Sequence, residues 1–154
     1  MSGKSGNTHF TMRSLIRSLF VAVALAAAGC VQLPPHPDEA AAKQFQPVSD
    51  KAVIYVARSY PGPSYSAPIM LDEKMMGSLY SGTFFRWEVD PGTHRIAGFA
   101  ADSASMRLEA RAGEIYFIEQ VPVGLRSMTF SILRQLDPNA GRLLVGHASL
   151  LAAR

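Results

Sequence analysis

The chain has a single cysteine, Cys30, in 154 residues. A lone thiol has no partner within the chain, so no intrachain disulfide supports the fold. Histidine is almost as scarce. Of four, only His36, His94 and His147 follow the cysteine. None has a second ligand at H-x-x-x-H or H-x-x-E spacing, so no metal site is expected. The nucleophile-elbow pattern G-x-S-x-G is missing, as is a glycine-rich phosphate loop, and no internal repeat is visible. The most apolar run, LFVAVALAAA at 19–28, is about half the ~20 residues that a membrane-spanning helix needs. A permanent transmembrane anchor is therefore not expected.

An excess of basic charge is missing where a domain is expected. The formal net charge is +3, from fifteen Lys and Arg against twelve Asp and Glu. Three of those basic residues, Lys4, Arg13 and Arg17, fall in residues 1–29, which hold no acid. From Cys30 onward the balance is therefore twelve against twelve. A neutral domain lacks the basic footprint that nucleic acid requires, so that partner is excluded.

What is present begins with the first thirty residues. Arg13 and Arg17 precede the apolar run, the layout of a secretory signal peptide, with the true start read at Met12. The small residues Ala27, Ala28 and Gly29 lead straight into Cys30. This resembles the bacterial lipobox, in which the cysteine sulfur receives a diacylglyceryl group and cleavage leaves that cysteine first. The position three before the cysteine, usually Leu, holds Ala27, and Leu25 stands two residues earlier. Two or three acyl chains, at about 0.8 kcal/mol per buried CH₂, would hold a small domain firmly to a membrane. Val31 follows Cys30, with no aspartate there, which by the general sorting tendency of lipoproteins favours the outer membrane and a periplasm-facing domain.

Residues 30–50 carry four prolines and read as the lipidated cysteine and a tether. Within them DEAAAKQF suggests one or two helical turns with Asp38 as N-cap. The texture changes at Lys51, and residues 51–154 read as the domain. AVIYVAR (52–58) reads as a strand buried on both faces. SYPGPSYSAP (59–68) reads as a loop, and residues 69–80 as a hairpin turning at Glu73–Lys74. In TFFRWEV (83–89) Phe85, Trp87 and Val89 share one face. Asp90-Pro91-Gly92-Thr93 suits a type II turn, with HRIAGFA as the returning strand. MRLEARA (106–112) alternates cleanly, with Met106, Leu108 and Ala110 inward. IYFIEQV and MTFSILRQL are further strands. Asp137-Pro138 reads as N-cap and first turn of a short helix over 138–145. Six to eight short strands joined by turns predict an all-β antiparallel sandwich with a short C-terminal helix.

The ordered set IYVAR, LDEKMMGSL, an aromatic strand, VDPGTH and AGEIYF resembles a family of bacterial envelope lipoproteins known as domain of unknown function 2846. The likeness runs over about residues 50–146. The middle is also similar to PEGA-type surface domains, except that Asp72-Glu73 stands where Asp-Gly is usual. The resemblance implies an extracytoplasmic interaction module and no assigned activity.

Few residues suggest chemistry. Asp72-Glu73 and Glu114 with Glu119 are carboxylates that glycoside chemistry could pair, although a charged turn and strand edges explain them as well. Glu119 shares a face with Ile115 and Phe117, so burial there calls for a partner, with arginine the ordinary one. His94 is expected to close the P-G-T-H turn, and Met70, Met75, Met76 and Met106 to fill the core. Tyr60 and Tyr65, flanked by Pro and Ser, either form a binding patch for a protein or glycan or fold back over the core edge. No cofactor is called for. The sequence thus predicts a lipid-anchored envelope protein with a non-catalytic binding or structural domain. A subunit of an envelope transport or assembly complex, and a small periplasmic hydrolase, are the alternatives.

Overall fold

The computed structural model describes residues 36–98, 104–124 and 130–152. Among the described residues nine strands form two sheets. In chain order the elements are α1 (Glu39–Ala42), β1 (Ala52–Ala57), β2 (Ala67–Leu71), β3 (Lys74–Leu79), β4 (Thr83–Val89), β5 (Gly92–Gly98), β6 (Ser105–Ala110), β7 (Ile115–Val123), β8 (Phe130–Leu136), α2 (Pro138–Gly146) and β9 (Ser149–Leu150). One sheet runs β8-β7-β1-β4-β9 and the other β3-β2-β5-β6. The all-β sandwich with a short C-terminal helix is as the strand spacing predicts.

Strand β1 lies in the middle of the five-stranded sheet, and each residue of it is buried. Ala52, Ile54 and Val56 face the opposing sheet and pack with Ile69, Leu79, Phe85, Trp87, Ile96 and Ile118. Val53, Tyr55 and Ala57 face outward beside Phe84 and Phe117 of the same sheet, yet Ala42 and Val145 pack over that face. A strand between two apolar layers needs no polar alternation, which explains AVIYVA. The central Ile side chains contribute about 1.5–3 kcal/mol each on burial.

The outer layer begins before Lys51. Tyr55 donates its hydroxyl to the Ala42 carbonyl at 2.5 Å. Phe45 sits edge-on to Tyr55 and Phe117, at 5.4 and 5.7 Å between ring centroids, and Val48 joins the same cluster. The tether expected over 30–50 therefore ends earlier, because Ala42, Phe45 and Val48 supply apolar cover that the sheet would otherwise lack. At the other end Asp137 accepts the amides of Asn139 and Ala140 at 3.0 and 3.1 Å, capping α2 with Pro138 in its first turn. The N-cap expected at Asp38 makes no side-chain cap hydrogen bond.

Three further expectations change. The sandwich is not wholly antiparallel, since β1 runs parallel to β7 and β4 parallel to β9. Strand β5 does not return beside β4. The Asp90–Gly92 turn carries the chain across to the other sheet, where β5 pairs with β2 and β6. The β2–β3 turn falls one residue earlier than expected, at Asp72 and Glu73, both left-handed with φ of 47° and 64°. Glycine normally takes such positions. Here Asp72 is held by bonds in place of glycine's freedom: its N–H donates to the Arg95 carbonyl at 2.9 Å and its Oδ1 accepts the Arg95 N–H at 2.8 Å.

Candidate functional site

The chain leaves β1 at Arg58, and this residue organises the loop that follows. Arg58 is 1% exposed. Its Nη1 donates to the carbonyls of Tyr65 and Leu79 at 2.7 and 2.9 Å, and its Nη2 to the Pro63 carbonyl at 2.6 Å. Three carbonyls thus solvate the guanidinium in place of a carboxylate. Burial pushes its pKa down, but an arginine remains charged throughout the ordinary pH range. The Tyr65 ring lies 5.9 Å from the guanidinium carbon, within cation–π range. The Tyr65 hydroxyl donates to the Gly124 carbonyl at 3.1 Å.

The two tyrosines of the loop therefore part company. Tyr65 is half-buried against Arg58, whereas Tyr60 is 78% exposed and precedes a cis peptide bond to Pro61. Its Cβ lies against Gly82, where any side chain would press on Tyr60. The Ser81 hydroxyl donates to the Ser59 carbonyl at 3.3 Å, tying the loop to the β3–β4 turn. The result is one aromatic side chain displayed on a loop fixed at its base. Sequence reasoning missed Arg58. Its signal was a charge ending a wholly apolar run, where burial is the default.

A second cluster gathers at the opposite end of β1 and β2. His94 Nδ1 lies 2.6 Å from Asp72 Oδ2, and its Nε2 lies 2.7 Å from the Asp90 carbonyl. Both neighbours are acceptors, so the imidazolium fills both bonds. Burial would lower the His94 pKa, but the Asp72 carboxylate and the Asp90 carbonyl outweigh it, and the net shift is upward. Burial likewise opposes ionisation of Asp72, yet His94 and the Arg95 amide bring its pKa below the ordinary value. Lys51 bonds Asp90 at 2.7 Å and Arg95 bonds Glu73 at 2.6 Å. His94 thus closes its own turn, as expected, and also clamps the β2–β3 tip to the sheet crossover.

The other two candidate carboxylates, Glu114 and Glu119, have partners of their own. Glu119 is buried and bonds Arg134 Nε at 2.7 Å, the arginine anticipated for it. Glu114 accepts the Tyr116 hydroxyl at 2.6 Å. His36 precedes α1 and His147 ends α2. Among the described residues no group of three or more His, Cys, Asp or Glu could hold a metal ion. Of the methionines, Met76 and Met106 pack on the core as expected, while Met75 is 40% exposed.

Two cavities flank the C-terminal segment. One, of about 470 Å³, opens between the sheets and is lined by Met75, Gly77, Tyr80, Phe85 and Leu151, with no charged side chain among the described residues of its wall. The other, of about 510 Å³, lies on the outer face and is lined by His36, Gln44, Gln46, Arg86 and Leu150. Cys30 lies outside the described residues. Among the described residues no helix is long and apolar enough to cross a membrane. No protein-family model matches the chain, and no curated protein matches it.

Proposed function

We propose that this chain is a lipid-anchored bacterial envelope protein whose β-sandwich binds a partner and performs no catalysis. The observation that carries the binding role is the Arg58-pinned loop presenting Tyr60 at 78% exposure. A rigid exposed aromatic gives contact area at small entropic cost, because its loop is ordered before the partner arrives. The N-terminal run ending in Gly29-Cys30 supports the anchor, with the acyl chains on Cys30 as the membrane contact. Val31 after the cysteine favours outer-membrane placement facing the periplasm. The resemblance to domain of unknown function 2846 agrees with an interaction module of the envelope, and the partner is another envelope protein or a glycan.

The test is formaldehyde cross-linking in intact cells, followed by detergent purification and mass spectrometry. Wild type, Tyr60→Ala and a control at the opposite end of the sandwich, Glu73→Ala, are compared. Recovery of one or a few envelope components with wild type and Glu73→Ala, and their loss with Tyr60→Ala, is the expected result. Equal recovery with all three variants would remove the loop from the binding role.

A further inference from the structure

The described residues begin six positions after Cys30. The His36 carbonyl accepts the Glu39 N–H at 2.9 Å, and its Nδ1 accepts the Asp38 N–H at 3.2 Å. Glu39 in turn accepts the Leu150 N–H at 3.0 Å, and Ala42 is buried against the sheet. His36 is therefore fixed to the sandwich, on the outer face that α1 and α2 cover. At about 3.3–3.6 Å per residue, the chain from Cys30 to His36 spans at most about 22 Å. A domain of this size is about 35 Å across. If the four-stranded sheet lay against lipid, His36 would stand on the far side, beyond the reach of an acylated Cys30. The short connection therefore selects the outer face of the five-stranded sheet, or an edge beside it.

That face displays apolar side chains. Leu143 of α2 is 66% exposed and Ile132 of β8 is 46% exposed. Leu136 packs in the outer cluster, and side chains alternate along a strand, so Ile132 shares its face. Charge there is balanced. Lys43, Arg86 and Arg134 each bond a carboxylate, and Asp38 and Asp137 offset Arg142. Contact with lipid is therefore apolar and calls for no anionic headgroup. The Arg142 guanidinium lies 5.7 Å from the centroid of the Phe45 ring, and its length lets the charge stay in water while Leu143 beside it is covered. Two exposed aliphatic side chains would not hold a free domain. A short connection supplies an effective concentration on the order of millimolar, at which so weak a contact is populated.

We propose that the face formed by α1, α2 and the outer side of β8 rests on the bilayer surface, with Leu143 and Ile132 among the lipid headgroups. The contact rests on the Cys30 anchor proposed above and is independent of what Tyr60 binds. With that face down, both sheets lie along the membrane. Strand β1 then runs parallel to the surface, and the Tyr60 loop at its end points along it, toward a partner beside the domain and not above it.

The experiment uses the full acylated chain, purified in detergent and reconstituted into phosphatidylcholine vesicles with a nitroxide on a fraction of the headgroups. Cys30 is the only cysteine, so its acylation leaves one introduced cysteine as the sole thiol for a fluorophore. Ala140→Cys places the label on the exposed side of α2, one turn before Leu143. Arg107→Cys places it on β6, at an exposed position facing away from the core. Lipid quenching is expected to be severalfold stronger at 140 than at 107. Leu143→Asp in the Ala140→Cys chain is expected to reduce that quenching, and Ile132→Asp added to it to bring the signal to the level at 107. Both replaced side chains are exposed, and urea midpoints close to wild type check that the variants fold.

Equal quenching at 140 and 107 on an acylated chain would overturn the proposal and leave the anchor standing. Quenching at 140 that both aspartates leave unchanged would overturn it too, because the apolar side chains would then make no contact. Self-quenching of the label at 140 without lipid quenching would assign the face to a second copy of the chain in place of lipid. A wild-type chain whose intact mass lacks acyl chains would remove the anchor and this surface together.

Discussion

Replacing Arg58 by leucine separates the buried charge from the apolar volume around it. Arg58→Leu deletes the bonds to the Pro63, Tyr65 and Leu79 carbonyls. Hydrogen bonds to charged donors are worth about 1.5–3 kcal/mol each, so three would suggest a large loss. Two terms reduce it. The leucine does not carry the cost of dehydrating a guanidinium. The Pro63 and Tyr65 carbonyls sit on a loop that can turn them to water, whereas Leu79 is wholly buried in β3. A net loss of about 2–4 kcal/mol follows, a large fraction of the 5–15 kcal/mol typical of a domain. Urea unfolding gives this number, and amide hydrogen exchange across residues 59–66 gives its location. Exchange in the loop should rise strongly while that of β1 and β7 follows only the global change. Arg58→Lys should fall between, because a compact ammonium cannot copy the planar fork. A change under about 0.5 kcal/mol with loop protection unaltered would refute the idea that Arg58 orders the loop, since losses that small are typical of surface sites.

Other outcomes test other parts of the structure. The His94 pKa is raised on folding from an ordinary value of 6.5, so its stabilisation is complete below about pH 6.5 and lost as pH rises through the folded value. Urea midpoints should decline across that window in wild type and stay level in His94→Gln. Asp72, lowered from 3.8, contributes above that pH and loses its contribution as pH falls through its folded value, which Asp72→Asn should abolish. A methyl group on Gly141 would overlap the Phe117 ring. Gly141→Ala should therefore cost about 1–3 kcal/mol in urea unfolding, despite a helix-propensity gain of about 1 kcal/mol. Cys30→Ala should move the protein from the membrane to the soluble fraction on cell fractionation, and the wild-type intact mass should carry acyl chains.

Elements whose pattern arises from burial were legible. The alternation in MRLEARA and in TFFRWEV reports directly which residues face the opposing sheet, and Phe85, Trp87, Leu108 and Ala110 are buried as read. The uniform apolarity of AVIYVA correctly indicated cover on both faces. What supplied that cover was not legible, because Ala42, Phe45 and Val48 lie in a proline-bearing stretch with little periodicity. Pairing was hidden too. A turn such as Asp90-Pro91-Gly92 specifies a change of direction, not which sheet receives the next strand. The left-handed Asp72-Glu73 turn needed Arg95 and His94, which stand more than twenty residues away in sequence. At the candidate site the loop and its tyrosines stood out by composition. Their division into a packed Tyr65 and a displayed Tyr60 depends on Arg58 and three carbonyls, which no local pattern encodes.

The central claim is that Arg58 holds Tyr60 for a partner at the membrane. Its most direct test places a photoreactive benzoylphenylalanine at position 60 in living cells. Cross-linking yield is then compared in an otherwise wild-type chain, in Arg58→Leu and in Cys30→Ala. A discrete cross-linked partner in the first, reduced severalfold in both of the others at equal protein level, is the expected result. A cross-link of the same identity and yield in all three would contradict the claim, because neither the pinned loop nor the anchor would then matter to the encounter.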